Sequence, residues 1–191
     1  MPNSRDDVLD AARAILDRYS LADLSMRRLA GELGVRPNAL YWHFPNKQSL
    51  LAALADRILD DVVSPPATDP WDTQVIALVS EMRRVLLAVT DSAELVSASW
   101  ASGLSAMTVA GEITTAVSRG GLGVRDARAV TTAACQLVIG LTFEQQTRAQ
   151  MERLGVSGPS GRDFDEEFAD GLAVVVDGAR ERSGERARRS A

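Results

Sequence analysis

The spacing of apolar residues constrains this chain more than any other feature. Val8, Ala12, Ile15, Leu16 and Tyr19 stand at i, i+4, i+7, i+8 and i+11. That is the period at which side chains share one face of an α-helix, not the period of two that a strand needs. The same spacing returns at Leu50, Leu51, Leu54, Ile58 and Val62, at Val75, Leu78, Val79, Met82, Val85 and Leu86, and at Phe164, Phe168, Leu172, Val175, Val176 and Ala179. No segment alternates cleanly between apolar and polar residues, and no internal repeat is visible. The fold class that follows is all-α, with about nine helices.

Capping and breaking residues divide this pattern. Ser4 is placed to cap a helix over about 5–19, with Asp6 and Asp7 favourable in its first turn. Ser25 precedes MRRLAGEL, a short helix ended by Gly34, and Pro37 suits the first turn of a second short helix, NALYWHF, stopped before Pro45. Asn46 caps a connecting helix over 46–63, which SPPATDP at 64–70 must end, since Pro65, Pro66 and Pro70 cannot continue it. Further helices are expected over about 71–89, 92–101, 103–119, 125–151 and 164–181, with GVSGPSGR at 155–162 a loop. The middle of the 125–151 helix, AVTTAACQLVIGLTF, is apolar or small nearly all round, which requires cover on two sides. The domains expected are a head over 1–47, a helical body over 48–182, and a polar tail over 183–191 that is expected to be disordered.

Residue counts exclude several kinds of chemistry. With one cysteine, Cys135, no intramolecular disulfide can form, and with one histidine, His43, no multi-histidine metal site can. No Ser-His-Asp or Cys-His pair is available away from His43, and no Gly-rich phosphate loop occurs. Glu166 and Glu167 are adjacent on a helix and face different ways. The expectation is a chain that is not an enzyme, with no cofactor and no metal. The N-terminal MPNSRDDVLDAAR lacks the apolar core of a signal peptide, and no window approaches 18 uninterrupted apolar residues. A cytoplasmic protein with no membrane segment is therefore expected.

Residues 25–43 carry the chemistry. Two short helices joined by a tight turn at Gly34 form the arrangement in which a second helix enters the DNA major groove. The formal charge of the whole chain is -5, which argues at first against a nucleic-acid partner. Locally the sign reverses: Arg27, Arg28, Arg36 and Lys47 face only Glu32 between 25 and 47, and the acidic excess lies in the body. Tyr41, Trp42 and His43 add hydrogen-bonding tips. Leu29, Ala30, Leu33, Val35, Leu40 and Phe44 are the apolar set that locks the helices together. The plainer alternative is a packed aromatic corner beside a solvated arginine face.

The segment LSMRRLAGELGVRPNALYWHFPNKQSLLAALADRIL, residues 24–59, resembles the N-terminal DNA-binding region of the TetR family of bacterial repressors. Order and spacing both match, and YWH followed by NK is the form found in the tetracycline repressors. FADGLAVVVDGAR near the C-terminus is also similar to a pattern of that family. The resemblance implies that Ser25 and Arg27 approach the groove and backbone, with Arg27 reading a guanine. It implies that Arg36, Pro37, Asn38 and Ala39 open the recognition helix, with Asn38 contacting adenine and Arg36 guanine or phosphate. Tyr41, Trp42, His43 and Lys47 are the implied phosphate contacts. RPNA at 36–39 departs from the tetracycline repressors, so their operator does not carry over.

The resemblance further implies a homodimer on a palindromic double-stranded DNA operator, joined through the 125–151 helix, with its small residues Ala129, Ala133, Ala134 and Gly140, and the 164–181 helix. It also implies a small-molecule effector in the body that shifts the 46–63 helix and releases the operator. The pocket is expected among Met82, Leu86, Trp100, Leu104, Met107, Gln136, Ile139 and Phe143, with Trp71 and Cys135 nearby. Ser97, Ser99, Thr108 and Gln145 are further polar candidates. At helical spacing the same apolar residues also fit a plain core. The only histidine lies in the head, so a metal–tetracycline effector is not expected. A helical protein-interaction module without DNA binding, and an activator of the same fold, remain alternatives.

Overall fold

A computed structural model describes residues 4–190, with side chains to residue 184. The first helix, α1 (Arg5–Arg18), starts where the sequence places it. Ser4 Oγ accepts the Asp7 N–H at 3.1 Å, and the Asp7 carboxylate accepts the Ser4 N–H at 2.7 Å, a reciprocal cap. That second bond holds the Asp7 carboxyl below its ordinary range. Val8, Ala12, Ile15 and Leu16 are buried as expected, whereas Tyr19 lies past the helix end and is exposed. Its ring instead carries the Arg28 guanidinium, 3.7 Å from the centroid.

Helices α2 (Met26–Glu32) and α3 (Pro37–Leu40) are joined through Gly34, whose φ of 65° is one that side chains disfavour. Helix α3 is shorter than NALYWHF suggests. After Leu40 the chain turns: the His43 and Phe44 N–H groups both donate to the Leu40 carbonyl, at 3.0 Å each, and Phe44 folds into the core. Helix α4 (Lys47–Leu59) begins on a reciprocal cap between Asn46 and Ser49. It ends at Leu59, short of the expected 63.

The body consists of α5 (Trp71–Leu87), α6 (Ser92–Ala101), α7 (Thr108–Arg119), α8 (Val124–Arg153) and α9 (Phe164–Ser190). Helix α7 starts five residues later than 103. Gly103 (φ 70°) and Met107 (φ 45°) take left-handed backbone, and Asp56 of α4 gathers the intervening loop, accepting from Ser105 Oγ at 2.6 Å and the Ala106 N–H at 3.0 Å. The C-terminal tail differs more. Where the polar sequence suggests disorder from 183, α9 runs on to Ser190. Ser183 Oγ donates to the Gly120 carbonyl and Arg182 pairs with Asp126 at 2.7 Å, so the body holds the helix at that point.

Packing explains how the head is carried. Helix α5 lies against α7, α8 and α9, and α8 packs on α6, α7 and α9 as well. In the head, α1 packs on α2 and α4, and α2 on α3. Helix α4 is the shared element, touching α1 on one side and α5, α6 and α7 on the other. Leu50, Leu54, Ala55 and Ile58 of α4 are buried in one apolar cluster that continues from Val8 in the head to Ala179 in α9. A shift of α4 therefore moves head and body packing together. No helix among the described residues is long and apolar enough to cross a membrane.

Candidate nucleic-acid interface

Leu29, Ala30, Leu40 and Phe44 are buried and fix α2 and α3 to the head. With those positions turned inward, Arg36, Pro37, Asn38 and Ala39 form the exposed first turn of α3. Pro37 lacks an N–H that this first turn leaves unpaired anyway. Tyr41 is exposed, and Trp42 is 91% exposed, an unusual position for the largest apolar side chain. Ser25 caps α2 by accepting the Arg28 N–H at 3.1 Å, with Arg27 exposed in the same first turn. His43 and Lys47 are half-buried at the two ends of the turn into α4. Ser25 and Arg27 of α2, residues 36–39 of α3 and the 41–43 turn thus lie on elements that pack on each other.

The charges divide into two kinds. Arg28 pairs with Asp23 at 2.9 Å, and Glu32 lies 3.9 Å from Arg18. Arg27, Arg36 and Lys47 have no acidic partner among the described residues. Between residues 25 and 47 the free positive charge is therefore carried by these three, which suits contact with phosphates or guanine edges. Arg28, in contrast, is taken up in holding the α1–α2 corner against Tyr19.

The residues expected to line an effector pocket do not converge. Met82, Leu86, Met107 and Ile139 are buried in the core cluster, and Trp100 packs partly against it. Cys135 is fully buried as well, and burial pushes its thiol up to about 12. Leu104, 54% exposed, lies in the loop before α7, and Gln136 is exposed on the outer face of α8. Phe143, 42% exposed, does border open space: it lines a cleft of about 450 Å³ against α4 and α6, and a second of about 390 Å³ beside the α8–α9 loop. Helical spacing picks out buried positions, and that is why it selected core residues here.

Two polar residues carry more than their sequence context suggests. Gln146 of α8 donates to the carbonyls of Leu86 at 2.9 Å and Val89 at 2.8 Å, and accepts the Ala93 N–H, so it clasps the α5–α6 corner. Asp91, in that corner, accepts the Leu21 N–H of the head at 2.8 Å. Its left-handed backbone, φ 56°, is a conformation that aspartate tolerates better than most residues. Neither role has a signature in sequence, because the partners lie 53 to 70 residues away.

A helix-turn-helix head on an all-helical body, joined by a shared connecting helix, defines a transcription regulator of the DNA-binding kind. The particular family is equally plain: the chain belongs to the TetR family of bacterial regulatory proteins. Residues 8–54 match the family model of bacterial regulatory proteins of the tetR family, and residues 64–160 match the tetracycline repressor-like C-terminal domain. An HTH-type transcriptional regulator of Saccharopolyspora erythraea is 33% identical over 80% of this chain and 65% of its own length. The chain thus spans just under two thirds of that relative. The class A tetracycline repressor of Escherichia coli is 30% identical over 92% of this chain and 89% of its own. Among solved structures, BioQ of Mycobacterium smegmatis superposes with a TM-score of 0.87 at 41% identity, covering 94% of this chain and 99% of that one. BioQ solved with its natural double-stranded DNA operator gives 0.80 at 39% identity, covering 93% and 98%.

Proposed function

We propose that this chain is a cytoplasmic repressor that binds a palindromic double-stranded operator as a homodimer and is released by a small-molecule effector. It performs no catalytic step. The observation that carries the reading is the end of the head. Arg36, Asn38 and Trp42 stand in solvent on a turn that Leu40 and Phe44 anchor from beneath. Side chains held out on a rigid base suit insertion into a groove, with little reorganisation on binding. BioQ, solved with its natural double-stranded DNA operator, supports duplex DNA as the partner of a head of this shape.

Operator contact is assigned residue by residue. Arg27 and Arg36 meet guanine edges or phosphate, Asn38 meets adenine, and Ser25, Tyr41, Trp42, His43 and Lys47 hold the backbone and fix register. Pro37 and Ala39 shape the first turn so that it can approach the bases. Two such heads reach successive major grooves about 34–36 Å apart. The dimer face is assigned to α8 and α9, where Ala129, Ala133, Gly140 and Val174 are exposed. Ala134, expected on that face, is instead buried against the body.

Selection of bound fragments from genomic DNA by the purified protein tests the reading. The expected product is a set of fragments sharing one inverted repeat, with affinity that falls steeply as salt rises. Recovery of no enriched sequence, or binding indifferent to salt, would leave the head as a protein-interaction module.

A further inference from the structure

The cleft of about 450 Å³ at Phe143 lies where the head meets the body. Its walls come from both: Leu21 from the α1–α2 loop, Lys47 from α4, Asp91 and Glu94 from the α5–α6 corner and α6, and Phe143 and Gln146 from α8. Its volume falls in the range of small-molecule sites. Gln146 grips the α5–α6 corner, and Asp91 of that corner grips the Leu21 N–H, so one short chain of contacts runs from α8 to the head along the edge of the cleft.

The chemistry of the lining is specific. Glu94 is exposed and makes no ion pair or hydrogen bond with the described residues. Asp91 uses Oδ2 for Leu21 and has no hydrogen-bond partner for Oδ1 among them. Lys47 pairs with neither carboxylate. The Phe143 ring lines the same cleft, with Leu21 and Leu51 adding apolar wall. The lining carries two carboxylates against the single Lys47 ammonium and is net negative; with an aromatic wall this suits an organic cation with an apolar body, the ammonium held by carboxylate hydrogen bonds and the carbon skeleton against the ring.

We propose that this head–body cleft is an effector site for a small organic ammonium ion, and that Asp91 reports its occupancy to the head. A ligand ammonium on the free Oδ1 turns the Asp91 carboxylate into the cleft and weakens the bond from the Leu21 N–H to Oδ2. Occupied, the cleft loosens the hold on the α1–α2 loop and on α4, and operator affinity falls. The reporting half rests on the repressor reading above; the binding half does not.

Phenethylammonium chloride is the probe, titrated into the full chain without DNA and followed by amide proton–nitrogen correlation spectra. Saturable shifts at Leu21, Asp91, Glu94 and Gln146 in the millimolar range are expected. Uncharged 2-phenylethanol should bind far more weakly. Glu94→Gln, at an exposed position, should weaken phenethylammonium about tenfold, the effect of one charged hydrogen bond. Asp91→Asn keeps an oxygen for the Leu21 N–H and should weaken it similarly without disturbing the fold. No saturable shifts at these residues, equal binding of the alcohol, or unchanged affinity in Glu94→Gln overturns the site. In a second arm, operator affinity is measured by fluorescence anisotropy with and without saturating probe. A fall in the wild type, with the dose curve shifted to higher probe concentration in Glu94→Gln, supports the coupling; saturation with unchanged operator affinity overturns it. A chain that binds no DNA would fail the repressor reading while the spectral titration still decides the site.

Discussion

Arg83 Nη2 donates to the carbonyl of Phe164 at 3.0 Å, across 81 residues of sequence. The same guanidinium reaches Gln145 Oε1 at 2.9 Å and Asp165 at 2.8 Å, and lies 5.0 Å from the Phe168 ring centroid. Arg83 is only 5% exposed, so this is a charge carried into the core of the body and met there by α8 and the start of α9. Nearby, Arg162 pairs with Glu144 and Glu167 and lies over the Phe164 ring. Together they fix where α9 begins relative to α8, and those two helices form the face assigned to the dimer.

Arg83→Ala removes these bonds and leaves the half-buried Gln145 amide oxygen without its donor. A loss of about 2 kcal/mol is expected, since Asp165 is itself solvated and contributes little. Asp165→Asn should cost less than about 1 kcal/mol. Urea unfolding of both variants checks the order; equal losses would mean that the ion pair, rather than the carbonyl and amide bonds, carries the energy.

Trp42 and Leu40 lie two residues apart and should separate binding from stability. Trp42→Ala removes a side chain that touches little of the head, so unfolding should shift by less than about 0.5 kcal/mol. Operator affinity should fall at least severalfold. Leu40→Ala opens a cavity under the recognition turn and should cost about 2–5 kcal/mol. The paired measurement is thermal or urea unfolding alongside operator titration.

The head is legible in the amino-acid sequence because its capping residues, turn glycine and Pro37 lie within a few residues of the elements they shape. Local signals of that kind survive in sequence. The end of α3 is not legible: Phe44 is expected in the core, but the turn after Leu40 that carries it there is set by tertiary packing and not by a breaker within NALYWHF. The start of α7 depends on Met107 in left-handed backbone and on Asp56 from α4. The clasp formed by Gln146 and the latch formed by Asp91 depend on distant partners. Periodicity distinguishes inside from outside, yet Met82 and Leu86 satisfy it equally as core and as pocket wall.

Asn38 and Tyr41 should fail differently against DNA. If Asn38 makes the base contact proposed for it, Asn38→Ala should relax preference at one position of each half-site, by about 1–3 kcal/mol of discrimination. If Tyr41 holds the DNA backbone as proposed, Tyr41→Ala should weaken all sequences alike. Affinity measured on a panel of single-base operator variants distinguishes the two. A uniform loss in Asn38→Ala would remove it from the base-reading set.

Asp72 and Arg180 give the fold an acid-sensitive tie. The Arg180 guanidinium, hydrogen-bonded to Asp72 at 2.8 Å, holds the Asp72 carboxyl below its ordinary 3.8. A carboxyl lowered in the folded state contributes stability that is present above its unfolded value and lost as pH falls through the folded one. Stability should therefore drop below about pH 4, and Asp72→Asn should flatten that part of the pH profile while lowering stability at neutral pH. Urea midpoints at neutral and acidic pH measure it. An unchanged acid limb in the variant would assign the loss to other carboxylates.

Gly140 tests the dimer face with effects of opposite sign. A Cβ placed there meets nothing within 4 Å of the single subunit, and the residue lies inside α8. Alanine in a helix interior is favoured over glycine by about 1 kcal/mol, so Gly140→Ala should stabilise the subunit itself. If α8 meets its symmetry mate across this position, the added methyl holds the two backbones apart and weakens association. Gly140→Leu should do so more strongly. Light scattering over a dilution series reads the association, and urea unfolding at the lowest concentration reads the subunit. Raised subunit stability with weakened association fits close packing at Gly140. Unchanged association in Gly140→Leu moves the dimer contact elsewhere along α8 and α9.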